Sequence, residues 1–256
     1  MDLTTLERLP LWIGGRAFSP STTRYGEVTN PATGEVIRPV TLANAADVDA
    51  AVQSAAAALP RWAALPPLRR ARVLMKFRDL LDRHRMDLAR IVTQEHGKTL
   101  ADAEGSVMRG MEVVEFASGI PHLLKGEHSE SVGTDVDSWS IRVPVGVCVG
   151  ITPFNFPAMV PMWMFPIAIG CGNAFVLKPS ERDPSAANFC AQLFINAGLP
   201  PGVLHVGHGD KVAGDRLPRH PDRRPVGLVS PRARRQAVHD RGRQPDVGCS
   251  RSLPGQ

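Results

Sequence analysis

The chain has 256 residues, 43% hydrophobic and 21% charged, with a formal net charge of +5. That length holds one large domain or two small ones, and the balance is that of a soluble globular protein rather than a disordered or collagen-like one. The positive excess is local: Arg216 to Gln256 carries ten arginines, three aspartates, no lysine and no Phe, Tyr or Trp, so it lacks the stacking platforms of a nucleic-acid-binding face.

The N-terminus, MDLTTLERLPLW, contains charges and no unbroken apolar core, unlike a secretory signal. Residues 11–40 alternate apolar and turn residues (LWIGGRAF, NPATGEVIRPV), which predicts short strands joined by turns. DVDAAVQSAAAALPRWAAL, from Asp47, predicts an alanine-rich helix with an acidic first turn. LRRARVLMKFRDLLDRHRMDLARIVTQEHGKT places Val73, Leu74, Phe77, Leu80, Leu81 and Leu88 at helical spacing, and ADAEGSVMRGMEVVEFASG predicts a further helix. VDSWSIRVPVGV reads as extended chain.

Beyond it the rhythm changes. VGVCVGI is a strand buried on both faces, PMWMFPIAIGCGN a helix, AFVLKP a second strand and GVLHVGHG a third. Between the last two, DPSAANFCAQLFINAGLP predicts a helix with Asp183 as cap, Pro184 in the first turn and Gly198 as terminator. Strand and helix alternating in this way predict an α/β fold with a doubly wound parallel sheet. Residues 223–256, rich in Arg and Pro without amphipathic period, are expected to be a disordered tail apart from residues 1–222.

Val143 to Leu177 carries no charge, yet prolines stand at 144, 153, 157, 161 and 166. Prolines in the interior of a spanning helix leave backbone groups unpaired in lipid, so the run predicts a buried strand, an irregular loop and a kinked helix, not a membrane span. Asn155 sits within it. A buried asparagine needs hydrogen-bond partners; here it either pins the loop or, at the carboxyl end of a parallel strand, donates to a developing oxyanion. Cys148, Cys171, Cys190 and Cys249 form no CxxC pair and lack histidines at ligand spacing, which predicts reduced thiols, no metal site and a cytoplasmic protein.

ITPFNFP resembles the catalytic-asparagine loop of the aldehyde dehydrogenases, and VLKPSERDP resembles their adenosine-ribose segment. NPATGEVI, EHGKTLADAEGSVMRGMEVVEFA and AGLPPGVLHVGHGD follow the family's order. GIPHLLKGE with ITPFNFPAMVPMWMFPIAIGCGN resembles the CoA-acylating methylmalonate-semialdehyde type. The resemblance spans roughly residues 10–229 and implies the N-terminal part of an NAD-binding domain. The reaction it implies is thiolate attack on an aldehyde, hydride transfer to NAD, loss of carbon dioxide and acyl transfer to CoA. Other aldehyde dehydrogenase subfamilies, and a non-catalytic nucleotide-binding module, remain alternatives.

Carried residue by residue, the resemblance makes Asn155 the oxyanion donor and places Thr152 and Phe154 along the cofactor. Lys178 and Glu181 would hold the adenosine ribose hydroxyls, with Arg182 beside them; read without the family, they are a solvated surface pair. Glu181 would repel a 2′-phosphate, which favours NAD over NADP. Arg109 would recognise the substrate carboxylate through its planar fork, or pair on the helix surface with Glu112 or Glu104. In the departures, Ser230 and Pro231 stand where the family has a Gly-Ser phosphate turn, and the text after His220, Pro221 and Asp222 matches poorly. No match appears for the family's catalytic cysteine or its oligomerisation strands. The family forms homo-oligomers; this chain by itself is expected to be inactive.

Overall fold

The computed structural model describes residues 8–18, 20, 24–217, 220, 223–228 and 249–251. The chain opens with β1 (Leu11–Ile13) and β2 (Arg16–Phe18), an antiparallel hairpin, then β3 (Tyr25–Thr29) and β4 (Val36–Thr41), a separate two-stranded sheet. Helix α1 (Ala45–Ala63) starts just ahead of Asp47, where the sequence pattern begins. Asn44 accepts from the Asp47 amide at 3.0 Å while Asp47 accepts from the Asn44 amide at 2.9 Å, so each side chain satisfies a backbone donor left over by the first turn.

The long helical run is two helices, α2 (Pro67–Arg83) and α3 (Arg85–His96), interrupted at His84 (φ −104°, ψ 16°). Its apolar periodicity is continuous because both helices bury Leu74, Phe77, Leu81 and Leu88 in the same core. α4 (Leu100–Ser118), capped by Thr99, and the short α5 (Ile120–Leu123) complete this layer. A hairpin of β5 (His128–Gly133) and β6 (Val136–Trp139) follows, exposed along its whole length; of the segment expected to be extended, 136–147, only β6 and Val147 form strand, and residues 140–146 do not.

The α/β body comprises β7 (Val147–Ile151), α6 (Met159–Gly170), β8 (Ala174–Lys178), α7 (Ser185–Asn196), β9 (Leu204–Val206) and α8 (Lys211–Arg216). Strands β10 (Arg223–Leu228) and β11 (Cys249–Arg251) follow. The seven-stranded order is β11-β10-β7-β8-β9-β1-β2, parallel from β11 to β9, with β1 antiparallel to β9. The fold is therefore the expected doubly wound one. Two tail segments depart from the expected disorder: β10 pairs with β7, and β11 with β10. PVGL is apolar enough to extend a sheet with an open edge strand. Residues 229–248 and 252–256 of that tail lie outside the described residues.

Period-two alternation sorts the sheet's side chains. Cys148, Phe175, Leu177, Leu204 and Val206 join one core with α2–α4, α6 and α7, whereas Val147, Val149, Ala174 and Val176 join the other with α1 and Ala213. Phe77, Phe165 and Phe194 knit α2, α6 and α7, the Phe77 and Phe194 rings stacking at 4.2 Å. Gly110 permits the close approach of α4 to α6, since a Cβ there would meet Met162 Cε at 2.3 Å. At the far end of α6, Trp62 Nε1 donates to the Ile169 carbonyl (2.9 Å) and Arg70 Nε to that of Gly170 (3.1 Å). Arg70 also donates to the carbonyls of Ala63 and Leu65. Among the described residues no helix is long and apolar enough to cross a membrane.

Candidate active site

Consecutive crossovers carry the chain from β7 to β8 to β9, after which it returns to β10 on the opposite side of β7. Strand order thus reverses at β7, and a crevice opens beyond the carboxyl end of such a strand. The loop of residues 152–158 leaves β7 at that point. Its first residue, Thr152, extends the pairing by donating its amide to the Lys178 carbonyl at 3.1 Å. Thr152 is buried, and its Oγ1 has no hydrogen-bond partner among the described residues.

Phe154 is 46% exposed. Its ring stacks on His96 at 6.4 Å, and the Arg182 guanidinium lies 5.1 Å over it. Phe156 receives the Lys98 ammonium at 4.3 Å, and the same ammonium donates to the Asn155 carbonyl at 3.4 Å and pairs with Asp102 at 3.3 Å. Asn155 itself is exposed, which corrects the expectation of a buried asparagine. Pro157 and Ala158 are buried and lead the loop into α6, while Phe154 and Asn155 before them face outward at the sheet edge. The Asn155 amide makes no hydrogen bond among the described residues, so it can serve an external acceptor; the loop is held by Lys98 at the backbone instead.

At the end of β8, Lys178 is buried to 2% exposure, and its ammonium donates to Glu181 Oε2 and the Pro179 carbonyl, both at 3.1 Å. The pair is therefore not a solvated surface pair: the ammonium lies inside, and only the Glu181 carboxylate reaches the edge, half-buried. Arg182 is exposed, its amide donating to Ser180 Oγ. The Thr152–Lys178 and Phe154–Arg182 contacts bring Thr152, Phe154, Asn155, Lys178, Glu181 and Arg182 to one edge of the sheet.

Arg109 stands apart. It is exposed on α4, and no hydrogen bond or ion pair among the described residues links it to the 152–158 loop. The alternative pairing also fails to form: Glu104 is taken by Arg85 at 2.9 Å, and Arg109 has no ion pair with Glu112 among the described residues. Its neighbour Gly110 packs on α6, the helix that follows the loop.

Asp183 does not cap α7. The N-cap is Pro184, without a side-chain hydrogen bond. Instead Glu95, from the last turn of α3, accepts from the Ser185 amide at 3.0 Å and from the Ser185 hydroxyl. Burial raises the Glu95 pKa against the opposing pull of the Ser185 hydrogen bonds. Burial, and then the charge of Glu95, push Asp183 up to about 8. Glu95, His96 and Lys98 carry no role legible in the sequence; the turn signal at Gly97 marks their segment but not what it touches. Burial raises Cys148 and Cys190 to about 12 and also raises Cys171, so none of these three is a ready nucleophile. Ser230 and Pro231 lie outside the described residues.

The sequence profile described as "Aldehyde dehydrogenase family" matches residues 18–244. A malonate-semialdehyde dehydrogenase of Pseudomonas aeruginosa is 51% identical over 206 residues, which cover 80% of this chain and 41% of that protein. The mitochondrial methylmalonate-semialdehyde/malonate-semialdehyde dehydrogenase of Homo sapiens, named as acylating, is 41% identical over 239 residues, covering 93% and 45%. A crystal structure from Sinorhizobium meliloti 1021, described as a methylmalonate-semialdehyde dehydrogenase complexed with NAD, superposes with a TM-score of 0.93. It is 49% identical and covers 96% of this chain and 50% of that one. The chain spans about half the length of the relatives it matches.

Proposed function

The chain belongs to the aldehyde dehydrogenase family, and from that premise we propose that it forms the cofactor floor and oxyanion donor for NAD-dependent oxidation of malonate or methylmalonate semialdehyde to an acyl-CoA. The observation that carries this reading is the Thr152–Lys178 junction, which sets the asparagine loop and the Lys178–Glu181 pair side by side at the strand-order reversal. The residues fit an adenosine ribose: a half-buried carboxylate accepts from vicinal hydroxyls, and the orphaned Thr152 hydroxyl offers a further polar contact. The charge of Glu181 opposes a 2′-phosphate, favouring NAD over NADP. Phe154 and Arg182 flank the cofactor's path. When bound, NAD supplies the hydride acceptor.

The Asn155 amide donates to the oxygen that gains negative charge as the aldehyde is attacked, and the stiff, proline-flanked loop holds that donor in place beforehand. Arg109 meets the substrate carboxylate. Loss of carbon dioxide and transfer to CoA belong to the same proposal, supported by the acylating human relative and by family membership; a cytoplasmic setting is proposed from the unpaired cysteines alone. Residues 1–256 by themselves turn over no aldehyde, because burial holds Cys148, Cys171 and Cys190 protonated and Cys249, in DVGCSRS, lacks the surroundings of the family's nucleophile.

Calorimetric titration with NAD tests the floor. Weak binding is expected, reduced by both Lys178→Ala and Glu181→Ala; binding indifferent to both changes would refute the ribose assignment. NADH formation from malonate semialdehyde and CoA tests the rest: the isolated chain should give no more than a blank, and turnover abolished by Cys171→Ser or by Cys249→Ser would overturn the reading.

A further inference from the structure

Three contacts converge on the C-terminal turn of α3. Glu95 reaches sideways to α7 and satisfies the Ser185 amide and hydroxyl with its two carboxylate oxygens. That helix has no cap of its own, because Pro184 offers no side-chain acceptor. One residue on, His96 stacks on Phe154; two further on, Lys98 holds the Asn155 carbonyl and the Phe156 ring. Between them Gly97 is left-handed (φ +85°), and a Cβ there would meet Pro31 Cγ at 2.6 Å. Pro31, in the β3–β4 connection, thus packs against the turn where a side chain would have no room.

Loop 152–158 and segment 178–185 leave adjacent strands, and at their roots the Thr152–Lys178 hydrogen bond joins them. Beyond the roots the Arg182–Phe154 contact joins them directly, and the α3 turn bridges them, anchored to one by Glu95 and to the other by His96 and Lys98. We infer that Glu95 is a positioning residue, which through this turn sets the separation between the cofactor segment and the asparagine loop. The inference rests on the proposed function for its ligand and on the contacts alone for its mechanics. A carboxylate suits this role because two charge-assisted hydrogen bonds to one residue fix both distance and direction. Truncating it would also strand the Ser185 amide, a helix donor buried away from water.

Amide hydrogen exchange on the purified chain separates this role from simple stabilisation. Glu95→Ala should speed exchange by at least about tenfold, since it removes both charge-assisted hydrogen bonds to Ser185, in both 179–185 and 152–158, with β7 and β8 unchanged. Glu95→Gln, which keeps an acceptor, should restore most of the protection in both segments. Ser185→Ala should loosen both to a lesser degree, and these two variants decide the matter if Glu95→Ala does not fold. Faster exchange in 179–185 with 152–158 unmoved would overturn the inference, as would uniform acceleration across the body. Below the melting temperature, NAD affinity should fall about tenfold in Glu95→Ala. If the unaltered chain shows no NAD affinity, or neither Lys178→Ala nor Glu181→Ala changes it, the cofactor reading fails while the two-segment exchange pattern still decides the role of Glu95.

Discussion

β7 and β8 are buried at every residue and pair in unbroken register from Val147↔Ala174 to Ile151↔Lys178. β5 and β6 are exposed at every residue, and their register shifts between Ser129 and Gly133. Ser131 and Asp135, in and beside that hairpin, have positive φ, at 53° and 58°, a conformation that costs a side chain free energy. The contrast lies in what covers the strands. With a core on both faces, a one-residue slip would force each apolar set into the packing of the opposite core, so register is specified tightly. A hairpin with neither face covered has no such penalty, and its Val132, Val136 and Trp139 add nothing to the chain's own core. The proposed site lies where register is enforced: Thr152 and Lys178 are at the carboxyl edge of the tight pair, and positional precision there comes from burial a few residues earlier.

The largest test of that contrast removes the helical cover. Phe77→Ala breaks the Phe77–Phe194 stack and should cost about 3–5 kcal/mol in urea unfolding; a loss below about 1 kcal/mol would show that the layer over β7 and β8 is not what stabilises them. Next comes pH. Asp183 is raised from 3.8 to about 8, first by burial and then by Glu95, so above about pH 4 the folded chain keeps a proton that the unfolded chain has released. Stability therefore falls as pH rises towards 8. Buried His205, lowered to about 4, acts in the opposite sense only below its unfolded value of 6.5. Melting temperature should thus decline between about pH 6.5 and 8, and less steeply in Asp183→Asn; equal slopes would place the proton elsewhere.

Two smaller effects bracket the comparison. Asn44→Ala removes half of the capping box of α1, which covers the other face of the sheet, and should cost about 1 kcal/mol. Trp139→Ser on the hairpin should change unfolding by no more than about 0.5 kcal/mol. A hairpin substitution as costly as the cap would mean that β5 and β6 pack on the body after all.

Much of the body was legible because its signals are local. The β-branched run VCVGI, the proline-rich loop and the glycines after α6 and α7 are each decided within a few residues. The loop and ribose segments were legible through their resemblance to the family, and the structure sets them side by side. What escaped was decided at a distance. Nothing near His84 distinguishes one long helix from two, since both bury the same stripe. Asp183 has the chemistry of a cap, but Glu95, ninety residues away from Ser185, fills that role. Asn155 reads as buried because its neighbours are apolar, yet a loop at a sheet edge can bury Pro157 and expose Asn155 within three residues. The strand at Arg223–Leu228 escaped because arginine and proline on either side hid a four-residue apolar segment, which becomes a strand only because β7 presents an open edge.

Arg70 carries a buried positive charge, 3% exposed, with no carboxylate in reach among the described residues. Its guanidinium instead meets the carbonyls of Ala63 and Gly170, the last residues of α1 and α6. Each helix ends in roughly half a unit of negative charge from its aligned peptide dipoles, so two macrodipoles together serve as the counter-ion. A counter-ion made of backbone has no proton to gain in acid, and mobile ions do not screen it inside a protein interior as they screen surface pairs. The junction of α1, α2 and α6 is therefore held by an electrostatic contact indifferent to both acidity and salt, whereas the carboxyl pair of Glu95 and Asp183 remains answerable to pH.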